Sequence, residues 1–249
     1  MPKLSDLPTR TKVSVSEDDL RVQISMLAQR LGDLQDKLYA QKKYGILIVL
    51  QGLDAAGKDN TVKHVFDSVN PSGCRVKSFK VPTAEEAAHD FLWRIHRECP
   101  EKGMLQIFNR SHYEDVLVPV VNGTLKSKEL KQRYAQINAF EQMLIENGTL
   151  VFKFFLNVGP DEQKQRLDER LADPHKRYKY NPGDIKVFAQ RKKYLKQYDE
   201  VFEHCQKAVP WHIIPADDKP YKNYTILNIL LKELEKMDID FPVEIPEED

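Results

Sequence analysis

Gly52, Gly57 and Lys58 stand in the spacing G-x-x-x-x-G-K, the residue types that can close around a phosphate chain. Glycines let successive backbone N–H groups turn toward phosphate oxygens, and the lysine reaches the outer phosphates. Ala55 and Ala56 fill the loop between them. The motif ordinarily continues with Ser or Thr, but this chain has Asp59 there and a further carboxylate, Asp54, inside the loop. Carboxylates beside a polyphosphate repel it unless a divalent cation lies between the two anions. Asp54 therefore predicts Mg²⁺, or Mn²⁺ in its place, with Glu114 and Asp115 as further carboxylates that could reach the ion.

A second group of chemical residues is Asn109-Arg110-Ser111-His112-Tyr113-Glu114-Asp115. Arg110 is the one best suited to bind charge on a transferring phosphoryl group, because its planar fork matches phosphate geometry. The competing reading is a structural pair with Glu114 or Asp115. A third group lies between residues 163 and 196, where Arg166, Arg170, Lys176, Lys179 and other cations outweigh the acids. Its centre, Asp173 to Asp184, holds two prolines and a glycine and cannot be one regular element. Such an insert reads as a lid that closes on phosphates and excludes water; a solvated loop is the alternative. Arg75, Lys77 and Lys80 form a charge run of the kind that is more often a solvated face, but they lie one strand from the loop and a share of them could line a polyanion path; Lys63, Arg75 and Lys77 are the candidates for phosphate.

These groups need elements to hold them. Ile46 to Leu50 is a continuous apolar run, the mark of a strand buried on both faces of a parallel sheet. The amphipathic run Thr61 to Val69 reads as the helix behind the loop. Arg75 to Val81 alternates as a strand, and Thr83 caps a helix to Arg97. Met104 to Phe108 is a buried strand that delivers Asn109 to Asp115 to the sheet's carboxyl edge, where open α/β sheets bind ligands. Ser127 caps a helix over 128–146, ended by Asn147-Gly148. Strand 149–157, a helix opened by Pro160, a helix capped by Asp184 and running to Tyr198, strand 211–215 and helix 221–237 complete an alternating α/β order. Ahead of them, residues 16–43 form a helix whose Leu20, Ile24, Leu27, Leu31, Leu34 and Leu38 make a narrow seam. That seam suits packing on its own domain or pairing with a second subunit. The acidic tail 242–249 reads as frayed.

At 249 residues with no Pro/Gly/Ser-rich linker in the middle, one domain over 1–249 is expected. Lys+Arg and Asp+Glu balance at 38 each, so no global field recruits nucleic acid or membrane. Three cysteines, odd in number and far apart, match neither a disulfide framework nor a zinc spacing and read as reduced core thiols. The start of the chain lacks the apolar core of a secretory signal, and no run is long enough to cross a bilayer. A cytoplasmic protein is expected.

Four blocks together resemble the polyphosphate kinase 2 family: Gly52 to Asp59, Phe108 to Leu117, Arg170 to Lys176 and Trp211 to Lys219. The resemblance implies a three-layer P-loop kinase fold with a parallel sheet, flanking helices and a basic helical lid. It implies phosphoryl transfer between inorganic polyphosphate and nucleoside mono- or diphosphates, and a homo-oligomer, dimer or tetramer. Ser111-His112-Tyr113-Glu114-Asp115 looks like the class that accepts both kinds of nucleotide. Other classes carry Asp where Asn109 stands, and Tyr178 replaces a frequent Trp.

On this basis Asp54 is assigned to the metal, and Lys58 with the loop of Gly52, Ala55, Ala56, Gly57 and Asp59 to polyphosphate. Arg110 and Arg170 are assigned to the transferring group and nucleotide phosphates, and Glu114 to positioning the acceptor or a second metal. Asn109, His112, Tyr113, Asp115, Arg166, Lys176 and Lys179 are candidates for the nucleotide and lid. An ATP-dependent nucleoside monophosphate kinase would share loop and lid, but no adenine pocket for a donor is legible. A P-loop module that binds without turnover is the third reading, and Arg110 with a basic lid argues against it.

Overall fold

A computed structural model describes residues 2–11 and 16–242. Its strands β1 (Gly45–Gln51), β2 (Cys74–Ser78), β3 (Leu105–Asn109), β4 (Thr149–Asn157) and β5 (Trp211–Pro215) form one parallel sheet in the order β2-β3-β1-β4-β5. Every residue of the central strand β1 is buried, as its continuous apolar run requires. The pleat sends Ile46, Ile48 and Leu50 into a core with Leu31, Val65 and Leu227, carried by α1 (Glu17–Gln41), α2 (Lys58–Val65) and α10 (Lys219–Leu234). It sends Leu47 and Val49 to the other face, among Ile137, Phe155 and Val201, which adjoin α5 (Glu114–Val121), α6 (Ser127–Glu146) and α9 (Arg191–His204). Each such aliphatic side chain contributes about 1.5–3 kcal/mol, so an Ile48→Asp change would remove that and bury a charge.

The result is an α/β fold of three layers. β1 and β3 run side by side with Leu50 opposite Asn109, yet α2 leaves to one face and α5 to the other. That divergence opens a crevice at the carboxyl ends of β1 and β3, the place where such sheets receive ligands. The seam of α1 packs along α10, with Leu20, Leu31 and Leu38 buried. Of the two readings of that helix, packing on its own domain accounts for the seam. Among the described residues no helix is long and apolar enough to cross a membrane. Cys205 is buried, Cys74 and Cys99 are half-buried, and all three thiols are free.

Several element boundaries differ from the sequence reading. The helix expected over 83–97 breaks into α3 (Ala84–Ala88) and α4 (Trp93–His96). Thr83 and Glu86 exchange capping bonds of 3.2 and 2.9 Å, His89 is extended, and Asp90 Oδ1 starts a new turn by accepting from Leu92 N. The strand expected to Val81 ends at Ser78, α2 begins at Lys58 rather than Thr61, and Ser127 lies inside α6. The helix assigned to an Asp184 cap instead starts after Asn181, whose side chain accepts from Gly183 N at 2.8 Å. It forms α8 (Pro182–Ala189) and yields to α9 at Gln190. Residues 243–249 of the tail lie outside the described residues.

Candidate active site

The phosphate loop leaves β1 and enters α2 at Lys58. It needs left-handed backbone: Gly57 has φ 100°, and a Cβ there would lie 2.9 Å from Lys222 Nζ. Ala55 shares this region at φ 63°. Lys58 is buried, and its Nζ donates to Gly52 O (2.7 Å) and Leu53 O (3.2 Å). Burial, then Arg110, draws its amine down to about 8, while Asp54, Glu114 and Asp59 pull the other way.

Across the crevice Arg110 leaves β3 at φ 65°, a conformation rare for a residue with a Cβ. Its N–H donates to Leu50 O at 3.0 Å, which ties the turn to β1. Strain at such a residue costs on the order of 1–3 kcal/mol and persists only where surroundings impose it. Here it aims the guanidinium at Asp54, with which Arg110 forms an ion pair. Neither Glu114 nor Asp115 is the partner. Asn109 Nδ2 donates to Asp59 Oδ1 at 2.7 Å, so the two positions that depart from the common motifs meet each other. Glu114, the first residue of α5, lies behind Arg110, and burial pushes its carboxyl up while Arg110 and Lys58 oppose the rise. The Gln51 amide supports it: with its nitrogen toward Tyr198 Oη (2.9 Å) and Glu114 Oε1 (3.1 Å), its oxygen accepts from Ser111 N and Oγ.

Other expected site residues are placed elsewhere. His112 and Tyr113 turn into the core rather than the crevice, and both are fully buried. Tyr113 Oη donates to Glu141 Oε1 (2.7 Å), His112 Nε2 lies 3.3 Å from the same atom, and Lys153 Nζ reaches Glu141 Oε2 (2.7 Å) and Tyr113 Oη (2.9 Å). That network satisfies a buried ion pair and leaves neither side chain to a nucleotide. Asp115 is taken by the buried Arg94 at 3.1 Å, so it is not turned to a metal beside Asp54. Arg75 and Lys77, on the sheet's edge strand, pair with Glu101 (3.1 Å) and Glu98 (2.5 Å). Lys63 is exposed on α2, five residues past Lys58 and off its face. Arg75 and Lys63 are thus solvated, and Lys77 is half-buried against Glu98.

In the lid region α7 (Pro160–Ala172) presents Gln163, Arg166 and Arg170 at helical spacing. Arg166 is buried and donates to Ala55 O (3.1 Å) and Ala56 O (3.3 Å), which puts it under the phosphate loop instead of in the lid. Arg170 pairs with Asp184 at 2.8 Å. Burial, with Asp54 nearby, pushes the Asp184 carboxyl up, while Arg170 and Arg110 oppose it. Lys176 is exposed and pairs with Glu169 (3.1 Å). The side chain of Lys179 lies outside those described. Sequence reasoning missed Gln51, Gln163, Asp184 and Lys222. The three-residue step from Gln163 to Arg166 was a usable signal; nothing local marked Lys222.

No three His, Cys, Asp or Glu side chains among the described residues form a cage for a metal. Mg²⁺ does not need one, since it keeps waters and binds through one or two carboxylates plus substrate phosphates. The hard oxygens of Asp54 and Glu114 at the crevice fit that requirement. The arrangement thus brings a phosphate loop, an arginine and carboxylates to one cleft.

The family model described as polyphosphate kinase 2 matches residues 14–242. An AMP/ADP-polyphosphate phosphotransferase of Meiothermus ruber is 46% identical over 220 residues, covering 88% of this chain and 82% of the relative. An ADP-polyphosphate phosphotransferase of Rhodopseudomonas palustris is 36% identical over 244 residues, covering 91% and 82%. The crystal structure of polyphosphate kinase 2 from Arthrobacter aurescens TC1 superposes with a TM-score of 0.93 at 38% identity, over 99% of this chain and 89% of that one.

Proposed function

The chain belongs to the polyphosphate kinase 2 family, whose reaction passes phosphoryl groups between inorganic polyphosphate and nucleotides, and we propose that this enzyme serves both nucleoside mono- and diphosphates with Mg²⁺. The observation that carries the reading is the meeting of Lys58, Asp54 and Arg110 at the mouth of one crevice.

The acceptor's terminal phosphate oxygen attacks the end phosphorus of polyphosphate in line. One P–O bond forms to the nucleotide, one breaks to the chain, and the shortened chain keeps the bonding electrons. The transition state is loose, so positioning and charge neutralisation do most of the catalysis. A phosphate's second pKa is about 6, so the attacking oxygen is already ionised at neutral pH and needs no strong base. Lys58 and the loop amides bind the polyphosphate end. Arg110 moves from Asp54 onto the transferring group, and Arg170 takes nucleotide phosphate. Mg²⁺, held by Asp54 with Glu114 as the further carboxylate, supplies neutralising charge when bound. Glu114 also sets where the acceptor sits. The working form is a homo-oligomer.

The test supplies AMP or ADP with polyphosphate and Mg²⁺ and no ATP. Formation of ADP from AMP and ATP from ADP is expected. Product from neither nucleotide would overturn the reading, and it would leave an ATP-dependent kinase or a binding module.

A further inference from the structure

The carbonyl groups of the phosphate loop are all engaged by side chains. Lys58 takes Gly52 O and Leu53 O, as described above. Gln163 Nε2 donates to Asp54 O at 2.9 Å, and Arg166 Nη1 to Ala55 O and Ala56 O at 3.1 and 3.3 Å. Gly57 O accepts from Lys222 Nζ at 3.1 Å, beside Thr61 N (2.9 Å) and Thr61 Oγ1 (3.2 Å) in the first turn of α2. In a planar trans peptide the N–H points opposite to the C=O. Fixing the oxygens of Asp54, Ala56 and Gly57 on the outside therefore turns the N–H groups of Ala55, Gly57 and Lys58, on the same peptides, the other way, toward the crevice.

The donors are themselves held. Gln163 Oε1 accepts from Arg191, whose other nitrogen donates to Val158 O at 2.6 Å. Arg166 Nε pairs with Glu162 at 2.7 Å, and its Nη2 reaches Ala216 O (2.9 Å) and Asp217 O (3.0 Å). Lys222 Nζ has a second acceptor, Asn60 Oδ1, at 3.1 Å. All three side chains are buried: Gln163 is 1% exposed, Arg166 7% and Lys222 0%. They do not face an incoming ligand directly.

Lys222 is the anomaly among them. A buried ammonium is costly unless an anion pairs with it, yet both of its acceptors are neutral and its charged neighbours, Arg166 and Lys219, are cations. Burial and those two cations draw its amine down to about 7. An anion in the loop, on the far side of the Gly57 peptide, would supply the missing negative charge.

We propose that Lys222, acting with Gln163 and Arg166, is a positioning residue for phosphoryl transfer: it holds the phosphate loop's carbonyls outward so that the amides are aimed before the polyphosphate arrives. Preorganised dipoles cost no reorientation at the moment of reaction. The inference rests on the functional reading above and extends it to residues that touch no substrate.

Lys222→Met, which keeps length and removes the donor, tests it beside Lys222→Arg, which keeps both donor and charge. For Lys222→Met the expected result is a loss of about 10- to 100-fold in kcat/KM for polyphosphate, the scale of a misplacement near 1 Å. KM for the nucleotide stays unchanged, and the Gly57 and Lys58 amides exchange faster with deuterium. Lys222→Arg restores activity to within about threefold of wild type. A merely structural role would lower Tm and leave the folded enzyme's constants alone. Folded Lys222→Met with polyphosphate constants within about twofold of wild type would overturn the proposal. Should Lys222→Met fail to fold, Gln163→Met removes only the donor to Asp54 O and is judged by the same numbers. A wild-type enzyme that makes no ATP from polyphosphate sinks the functional reading, whereas an active wild type with an indifferent Lys222 sinks this one alone.

Discussion

Arg110 and Asp54, carried to the sheet's edge by different strands, meet side chain to side chain at the head of the crevice. The pairing stores the arginine where phosphate must pass and keeps the carboxylate from standing alone beside it. Arg110→Lys retains the charge and the left-handed backbone but loses the planar fork. Transfer is expected to fall about 10²- to 10³-fold, with Tm within a few degrees of wild type. Steady-state rates beside a thermal melt check this, and a lysine variant as fast as the parent would refute it.

Asp54→Ala and Lys58→Ala should each abolish measurable transfer while the circular dichroism spectrum stays unchanged. Stripping divalent ions with a chelator should silence the wild type in the same way, and added Mg²⁺ should restore it. Turnover by the metal-free wild type would remove Asp54 from the metal.

Glu114 stands behind Arg110 with Gln51 at its side, where it can set the depth at which an acceptor sits. Glu114→Asn is expected to change the ratio of mono- to diphosphate use. Parallel assays with AMP and ADP measure that ratio, and an unaltered value would leave Glu114 no part in selection.

Lys58 titrates near 8 in the fold, below its ordinary 10.5. Below about pH 8 it carries charge and attracts phosphate; above, it does not. Lys222, drawn to about 7, acts in the same direction. The free enzyme's kcat/KM for polyphosphate should therefore decline as pH rises through 7 to 8. Stability moves oppositely: between about 8 and 10.5 the unfolded chain holds a proton that folded Lys58 has lost, so this group makes ΔG of unfolding rise with pH. A pH profile flat from 7 to 9 would contradict the assignment.

Tyr113 and His112 belong to the core network around Glu141 and Lys153. Glu141→Gln leaves the Lys153 ammonium buried without its anion, a loss of about 3–5 kcal/mol in denaturant unfolding. Tyr113→Phe should leave KM for AMP and ADP unchanged. A large rise in that KM without loss of stability would return Tyr113 to the nucleotide site.

Local residue order determined much of this protein. A buried strand ending in Gly52 to Lys58, and another ending in Arg110, are legible because β1 and β3 are short apolar runs and the sites begin where apolarity stops. Alternation of strands and helices then required a parallel sheet with both loops at its carboxyl edge. Strand 149–157 and strand 211–215 were readable to the residue for the same reason. Side-chain direction was not legible. Nothing within Asn109 to Asp115 says that a left-handed turn at Arg110 aims it at Asp54, that His112 and Tyr113 point inward, or that Asp115 is claimed by Arg94 some twenty residues away. Lys222 lies 165 residues from the carbonyl it holds. Sequence patterns report periodicity and composition, which fix elements; which polar atoms face one another depends on how distant elements pack, and only the tertiary structure decides that.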